Sequence, residues 1–309
     1  MDQDQPKAMV SVIVPVFNEA ESLPELYQSL CRVLEAAGNP FEILFIDDGS
    51  HDGSQMIERN LAAQDDRVII HQFRRNRGKA AALNLGFAEA RGDYVVTIDA
   101  DMQDDPEAIP ALIAEIGRQN VDLISGWKQH RQDPFIKKYS SRLFNGVTRL
   151  LTGIHLHDMN NGLKAYRAEV VKTLDVYGEL HRYIPVLAKA QGFRSGEIKV
   201  RHFRRKYGKT KYGMSRFYKG LLDLLTVLFV TRFMRRPMHF FGLWGGVLIL
   251  IGFLAELWVL ILKYFYNEPF QTHLALLIFG VLLLVFGMQF LSLGLLSEMI
   301  TFADKSKRE

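Results

Sequence analysis

The sequence predicts an α/β domain with a mostly parallel sheet, followed by two helices long enough to span a membrane. The first observation is that apolar strand-like runs alternate with helix-like runs over residues 9–127. The second is that two long apolar segments lie near the C-terminus. At 309 residues the chain is long enough for one large domain and a smaller unit.

Five strands are predicted in the first part of the chain. They are Val10–Val16, Phe41–Ile46, Arg67–Phe73, Tyr94–Ile98 and Val121–Gly126. Between them the sequence predicts helices. The first opens with a capping-box pattern, Ser22 to Glu25, and ends at Gly38. Another runs from Lys79 to Ala90, and a third begins at Asp105-Pro106.

Three of these strands end in acidic or polar clusters. The clusters are Asn18-Glu19, Asp47-Asp48 and Asp99-Ala100-Asp101. In open parallel sheets, ligands bind beyond the carboxyl ends of the strands. We therefore expect the three clusters to meet at one edge of the sheet and to form the functional site.

The cluster after the fourth strand has the pattern of a metal site. Asp99 and Asp101 are one residue apart, and Gln103 follows two residues later. Alternating oxygen ligands can face one cation, and carboxylate and amide oxygens suit Mg²⁺ or Mn²⁺ rather than zinc. The triplet D-x-D alone is common in solvated turns. Its position after an apolar strand, beside two other acidic strand ends, favours a metal site.

The neighbouring cluster suits a nucleoside. Asp47 or Asp48 is placed to accept hydrogen bonds from a ribose or a base, whereas Gly49, Ser50 and Asp52 fit a turn and a helix cap. The chain contains no G-x-G-x-x-G pattern. The only P-loop-like tripeptide, GKT at 208–210, lacks the required earlier glycine, which argues against a P-loop nucleotidase.

Charge is distributed unevenly along the chain. Residues 1–127 carry 10 Lys and Arg against 22 Asp and Glu, whereas residues 128–236 carry 24 against 7. The acidic part can hold a cation, and the basic part suits phosphates or an anionic membrane surface. Nucleic acid would also suit the basic part, but the long apolar segments that follow favour lipid. No nucleic-acid partner is expected.

Two segments, Pro237–Tyr266 and His273–Leu296, are almost wholly apolar, and each exceeds the ~20 residues that span a bilayer. Basic residues flank the pair on both outer sides, so the positive-inside rule predicts that both flanks and the N-terminal domain face the cytosol. We expect a multi-pass protein of the inner membrane. Two buried helices of a soluble core are the alternative. Glu256 lies mid-span, where a charge needs a partner or a protein surface; it would be buried between helices or between the subunits of a homo-oligomer.

Four regions follow from these patterns. They are a cytosolic domain over 1–212, an interfacial region over 213–236, two transmembrane helices over 237–298 and a basic cytosolic tail over 299–309. Met214–Phe233 is apolar but interrupted by charges, which fits an amphipathic helix in the membrane interface. A helix packed on the cytosolic domain is the alternative.

Several segments resemble inverting, nucleotide-sugar-dependent glycosyltransferases of family two. They are SVIVPVFNE (11–19), DDGSHDGS (47–54), NRGKAAALNLG (76–86) and DADMQDDPE (99–107). With RRKYGKTKYG (204–213) and the two spans, the chain resembles the polyprenyl-phosphate sugar synthases. These include undecaprenyl-phosphate glucosyltransferases and dolichol-phosphate mannose synthase. The Q-x-x-R-W signature of processive polysaccharide synthases is absent.

This resemblance implies a Rossmann-like nucleotide-sugar transferase domain of GT-A type. It implies metal-dependent, inverting transfer of a hexose onto undecaprenyl or another polyprenyl phosphate at the cytosolic membrane face, with UDP-glucose as the favoured donor. One alternative is a GDP-mannose-dependent mannosyltransferase with a dolichyl or polyprenyl phosphate acceptor. Another, from a different class, is a non-catalytic membrane scaffold that binds nucleotide-sugars.

The resemblance also implies roles for individual residues. On the donor side, Pro15, Glu19 and Asp48 would line the nucleoside pocket, Lys79 would meet the base or phosphates, and Asp99, Asp101 and Gln103 would bind Mg²⁺ or Mn²⁺ at the diphosphate. On the acceptor side, Asp158 would act as a base or orient a substrate, and Arg205, Lys209 and Lys211 would hold the lipid phosphate. The Gly-Phe-Arg run expected after Asp158 reads Gly162-Leu163-Lys164 here.

Overall fold

The computed structural model describes residues 7–128, 153–154, 156–204, 206, 226, 229 and 237–306. The chain divides into two compact units, Met1–Val227 and Leu228–Glu309. The predicted interfacial helix and the residues Arg205, Lys209 and Lys211 lie outside the described residues, apart from Thr226 and Phe229 of that helix.

The first unit alternates strands and helices, as the sequence predicts. Its strands are β1 Val10–Val16, β2 Phe41–Asp47, β3 Val68–Gln72, β4 Tyr94–Thr97, β5 Leu123–Lys128, β6 Lys164–Arg167 and β7 Ser195–Val200. Its α-helices are α1 Leu23–Ala37, α2 Ser54–Gln64, α3 Lys79–Glu89, α4 Ile109–Arg118, α5 Ala168–Thr173 and α6 Ile184–Ala190. Two 3₁₀ turns, Pro106–Ala108 and Leu180–Tyr183, precede α4 and α6.

The seven strands form one sheet in the order β3-β2-β1-β4-β6-β5-β7. All neighbours are parallel except β6, which runs antiparallel to both β4 and β5. The mostly parallel sheet is therefore confirmed, with strand ends within two residues of the prediction. Neither β6 nor β7 was predicted, because the sequence around them has no clear alternation of apolar and polar residues.

Helix α1 shows how the first unit packs. Leu23, Leu26, Leu30 and Leu34 recur at helical spacing, and each is at most 1% exposed. Burying one such leucine contributes roughly 2 kcal/mol. The helix ends at Gly38, which adopts a left-handed φ of 69°.

The predicted capping box at the start of α1 is wrong. The Ser22 hydroxyl donates to the carbonyl of Glu19, 3.0 Å away, and accepts no hydrogen bond from the helix. The Glu25 carboxylate pairs with Lys206 instead of reaching back to Ser22. Ser22 itself has helical backbone angles, so its hydroxyl is not directed at the first free amides of the helix.

The second unit contains two long apolar helices, α7 Pro237–Phe265 and α8 Leu274–Ser306. Both are long and apolar enough to cross a membrane, and only 17% and 11% of their most apolar windows are buried. Such exposure is unlike the core helices of a soluble protein. Glycines bring the two backbones close: a Cβ at Gly245 or Gly252 would lie 2.8 Å from a carbonyl oxygen of α8. The carboxylate of Glu256 faces Gly280 of α8.

Candidate active site

The three acidic clusters share one edge of the sheet. Strand β1 runs parallel to β2 on one side and to β4 on the other, so the carboxyl ends of all three strands point the same way. The chain order reverses direction between β1 and β4, which is the topological switch point where ligands bind in such sheets. The expected edge is thus present in the fold.

The turn after β2 is held together by two carboxylates with different tasks. The Asp47 Oδ1 atom accepts from the amides of Gly49 (3.0 Å) and Ser50 (2.9 Å), which is an Asx turn. Asp48 accepts from the amides of Arg77 (2.6 Å) and Gly78 (2.9 Å) and so fixes the loop before α3. Burial raises the pKa of Asp48, and those two amide hydrogen bonds oppose the rise.

The first strand end is tied to the same turn. Asn18 has a left-handed φ of 55°, and its amide donates to the Ser50 hydroxyl over 2.9 Å. The amide of Glu19 donates to the Ser54 hydroxyl over 3.1 Å. The backbone before Glu19 therefore has a fixed course, and Pro15 of β1 lines a cavity beside Lys79 and Asp99.

Asp99 lies between a cation and a glycine. Lys79, the first residue of α3, forms an ion pair with Asp99 through its Nζ atom. Burial raises the pKa of Asp99, but the charge of Lys79 outweighs it and lowers that pKa to about 2. On the other side, a Cβ placed on Gly162 would lie 2.5 Å from the Asp99 Oδ2 atom. Asp99 is therefore an ionised, closely packed carboxylate that is still one-third exposed (34%).

The loop after Asp99 is anchored to the segment that follows β7. The Asp101 Oδ1 atom accepts from the amide of Gln103 over 3.2 Å. Met102, between them, adopts a left-handed φ of 57°. The carbonyl of Gln103 accepts from the amide of Phe203 (2.9 Å) and contacts His202 Nδ1 (3.1 Å). The segment that leads into the basic motif is thereby joined to the loop predicted to bind metal.

Residues 11–175 match the family described as Glycosyl transferase family 2. The chain belongs to this family. The predicted glycosyltransferase, and the resemblance that led to it, are confirmed.

Two relatives align over nearly the whole chain. The dodecaprenyl-phosphate galacturonate synthase of Rhizobium johnstonii is 36% identical over 295 residues, which cover 94% of this chain and 87% of that protein. The undecaprenyl-phosphate 4-deoxy-4-formamido-L-arabinose transferase of Edwardsiella ictaluri is 35% identical over 292 residues, covering 94% and 88%. Both names describe transfer of a sugar to a polyprenyl phosphate, and neither mentions glucose.

Solved structures share the fold of the family-two domain. One is a mannosyltransferase from Pyrobaculum calidifontis in complex with GDP-Man and Mn²⁺, with a TM-score of 0.52 and 20% identity over 72% of this chain and 64% of that one. Another is glucosyl-3-phosphoglycerate synthase from Mycobacterium tuberculosis with Mn²⁺, UDP-Glc and glycerol 3-phosphate, with a TM-score of 0.53 and 17% identity over 72% and 80%. The predicted GT-A type of fold is confirmed.

The family-two domain offers a donor set that suits a divalent cation. Among the described residues, no three His, Cys, Asp or Glu side chains converge on one point, so these side chains alone form no cage. Mg²⁺ and Mn²⁺ sites at phosphates commonly use one or two carboxylates, with substrate oxygens completing the shell. The carboxylates of Asp99 and Asp101, with the side-chain amide oxygen of Gln103, fit that pattern. Their metal-binding role stays a prediction.

Asp158 lies in the loop before β6 and is only 3% exposed. Its carbonyl accepts from the Ser125 hydroxyl over 3.3 Å. The preceding residue, His157, stacks on Trp127 with ring centroids 4.1 Å apart and also forms an ion pair with Glu197. The loop is therefore fixed to β5 and β7, which holds Asp158 in a defined position. Its role, either as a base or in orienting a substrate, stays a prediction.

Three polar residues that were given no role from the sequence line a cavity with Asp99, although Lys164 stands at the arginine position of the expected Gly-Phe-Arg run. They are Lys164 and Tyr166 of β6 and His181 of the second 3₁₀ turn. Burial lowers the pKa of Lys164 to about 8 and that of His181 to about 3. The available signal was a lysine within the otherwise apolar run LKAY (163–166).

Proposed function

We propose that this family-two enzyme transfers a sugar from a nucleoside-diphosphate-sugar to a polyprenyl phosphate, with Mg²⁺ or Mn²⁺ bound by Asp99, Asp101 and Gln103. The observation that carries the proposal is the alignment to two polyprenyl-phosphate sugar transferases over 94% of the chain. Such an alignment includes the C-terminal apolar helices as well as the catalytic domain. The contact between His202 and the carbonyl of Gln103 adds independent support, because it joins the segment before the basic motif to the loop that carries Asp101.

The reaction is a single displacement. One oxygen of the lipid phosphate attacks the anomeric carbon, forming a new C–O bond. The bond between that carbon and the diphosphate breaks, and its electron pair leaves with the nucleoside diphosphate. The anomeric configuration is inverted. A bound divalent cation would act as a Lewis acid that stabilises the growing negative charge on the leaving group by several kcal/mol.

The side chains of the donor site have separate tasks. Asp99 is kept ionised by Lys79, so it is ready to bind a cation at neutral pH. If Asp99 held a divalent cation, the ammonium of Lys79 would be available for the diphosphate. Pro15 and Glu19 would border the nucleoside, and Asp48 would position the loop at Gly78 beside it.

On the acceptor side, little deprotonation is needed. A phosphate monoester has a second pKa near about 6, so the lipid phosphate is largely dianionic at neutral pH. Positioning therefore matters more than a general base, and Asp158 would orient the acceptor or the sugar hydroxyls. Arg205, Lys209 and Lys211 would hold the phosphate, since the segment that leads into them is tied to Gln103.

The membrane would hold this site at headgroup depth. We infer a cytosolic catalytic domain over 1–212, an interfacial helix over 213–236, two spans over 237–298 and a cytosolic tail over 299–309. The two exposed apolar helices support the spans, and the flanking basic residues support the orientation. The inner membrane is the bilayer in which polyprenyl phosphate would meet a cytosolic nucleotide-sugar.

The resemblance and the two relatives specify different donor sugars. UDP-glucose, the donor that the resemblance favours, gains no support from the names of the two relatives. Their names specify galacturonate and a formamido-arabinose. Glucose, mannose, galacturonate and formamido-arabinose donors therefore all belong in the test.

The test uses the purified full chain in detergent or vesicles. It is incubated with undecaprenyl phosphate, Mn²⁺ and each radiolabelled nucleotide-sugar in turn, and the lipid phase is then extracted. We expect label in the lipid phase with one donor, and its loss on chelation. Absence of lipid-phase label with every donor would overturn the proposed transfer. Undiminished transfer under chelation would remove the metal.

A further inference from the structure

Asp104 follows the loop predicted to bind metal and carries a buried charge. Its side chain is only 1% exposed, and its Oδ1 atom lies 2.6 Å from the Nζ atom of Lys128, which is itself 11% exposed. The carboxylate accepts no hydrogen bond of normal geometry from the described residues. Burying a charge is costly unless it is paired, so the ammonium of Lys128 compensates the burial of Asp104.

The backbone of Asp104 is held by a second segment. Asp104 and His202 form an isolated antiparallel bridge. His202 comes two residues after Val200, the last residue of β7, and Val200 is paired with Lys128 at the end of β5. The contacts therefore close a ring that runs from the Asp104 carboxylate through Lys128, Val200 and His202 to the Asp104 backbone. This ring fixes Asp104 against two strands of the sheet.

The ring lies between the two parts of the proposed site. On one side, Gln103 directly precedes Asp104, and its amide donates to the Oδ1 atom of Asp101. On the other side, the amide of Phe203 donates to the carbonyl of Gln103 over 2.9 Å, and the basic motif begins one residue later. The course of both segments therefore depends on where Asp104 is held.

Asp104 is arranged to position other groups rather than to bind a ligand. Its carboxylate is enclosed and already paired, and no three His, Cys, Asp or Glu side chains of the described residues converge on a metal site. A buried ion pair is a weak source of net stability, because the cost of desolvation offsets the attraction. Its best-attested use is to fix one register among several.

We propose that Asp104 is a positioning residue for sugar transfer: held by Lys128 and His202, it keeps the loop predicted to bind metal and the segment that leads into the basic motif in one relative position. The inference rests on the proposed function, which assigns the cation to that loop and the lipid phosphate to the basic motif. Loss of the charge should then weaken the binding of cation and acceptor together.

The first measurement needs neither metal nor activity. Hydrogen exchange is followed by mass spectrometry in the metal-free full chain, for peptides that contain the Phe203 amide. Asp104→Asn keeps the size of the side chain and removes its charge, so we expect exchange at Phe203 to be roughly tenfold faster than in the wild type. Unchanged exchange would overturn the inference.

Asp65→Asn is the matched control. Asp65 is 10% exposed and forms an ion pair with Arg67 at 2.8 Å. It precedes the amino end of β3, which runs parallel to β2, so it lies at the opposite edge of the sheet from the acidic strand ends. Its substitution breaks a comparable ion pair and should leave exchange at Phe203 unchanged. Equal acceleration in both variants would mean a general loss of stability and would overturn the positioning role.

The second measurement separates positioning from a loss of fold. Mn²⁺ binding to the full chain with UDP or GDP is titrated by electron paramagnetic resonance, and transfer is measured against the concentration of undecaprenyl phosphate. We expect Asp104→Asn to raise both the Kd for Mn²⁺ and the KM for the lipid phosphate about tenfold, because small displacements of a site are costly. A lower kcat or Tm with both constants unchanged would refute the positioning role.

A double variant tests whether the ion pair acts as a unit. Lys128→Met removes the ammonium, and the combination with Asp104→Asn leaves neither partner buried with an unpaired charge. If the two residues act together, the double variant loses no more than the more severe single variant. Independent residues would give the product of the two losses, which would overturn the pairing. If Asp104→Asn alone does not fold, the double variant is compared with the wild type in the same measurements and decides.

The wild-type chain keeps the two proposals distinguishable. Transfer to lipid by the wild type, with exchange and both constants unchanged in Asp104→Asn, would leave the proposed function standing and remove the positioning residue. Faster exchange at Phe203 in Asp104→Asn, in a chain whose wild type transfers no sugar to lipid, would support the junction at Asp104 and overturn the proposed function.

Discussion

Two regions build the candidate site, and they differ in how they were assembled. The strand ends of residues 9–127 supply the carboxylates, each within a short continuous motif that follows an apolar strand. Residues 156–204 supply the opposite wall through β6, an antiparallel strand inserted between β4 and β5. The two regions meet where Gly162 contacts Asp99. The first region supplies carboxylates, and the second places Lys164 and His181 beside Asp99.

The difference shows that one site can combine groups with very different sequence signals. A motif such as Asp99-Ala100-Asp101 is visible because its members are neighbours in the chain. Lys164 and His181 are 17 residues apart and approach Lys79 only through the tertiary fold. Substitutions in either region, and at their contact, can test whether the two act together.

The largest effect is expected in the first region. Asp101→Ala removes one of two carboxylates assigned to the cation, so we expect transfer to fall ~1000-fold or more, as loss of several kcal/mol of charge stabilisation implies. Thermal unfolding should stay close to that of the wild type because Asp101 is partly exposed. Asp66→Ala, at an exposed acid, is the matched control. Full activity of Asp101→Ala would disprove its role.

An intermediate effect is expected at the contact between the regions. Gly162→Ala places a Cβ 2.5 Å from the Asp99 carboxylate, which must then shift. We expect a loss of about 10- to 100-fold in kcat/KM, with weaker stimulation by Mn²⁺, because sites tolerate small displacements poorly. The control is Gly117→Ala, where a new Cβ meets nothing within 4 Å. Equal activity of both variants would show that Asp99 is not constrained by the second region.

The smallest effect concerns stability within the first region. Glu58 of α2 is fully buried, and burial, followed by the charge of Asp47, raises its pKa to about 8. The folded state therefore keeps a proton that the unfolded state releases near pH 4.5, and stability falls as pH rises from about 4.5 to 8. Glu58→Gln has no such proton to lose, so its free energy of unfolding at pH 8 should exceed that of the wild type by on the order of 2 kcal/mol.

The measurement for Glu58 is denaturant unfolding of both proteins at pH 5 and pH 8. The difference between variant and wild type should be small at pH 5 and large at pH 8. Glu21→Gln, at an exposed glutamate, should show no such dependence. A difference that does not change with pH would mean that Glu58 is already ionised in the folded protein.

The sequence by itself determined the α/β class, five of the strands, the acidic strand ends and the two apolar helices. These features depend on local periodicity and on neighbouring residues, which a linear reading captures. It did not determine the antiparallel β6, the closeness of Gly162 to Asp99 or the cavity that Lys164 shares with Asp99. It also gave a capping box that Ser22 does not form, since its hydroxyl binds the Glu19 carbonyl. The Ser22 bond follows from the local backbone angles of the turn before α1. Only the tertiary structure decided the other three features, because each depends on the pairing of segments that are distant in the chain.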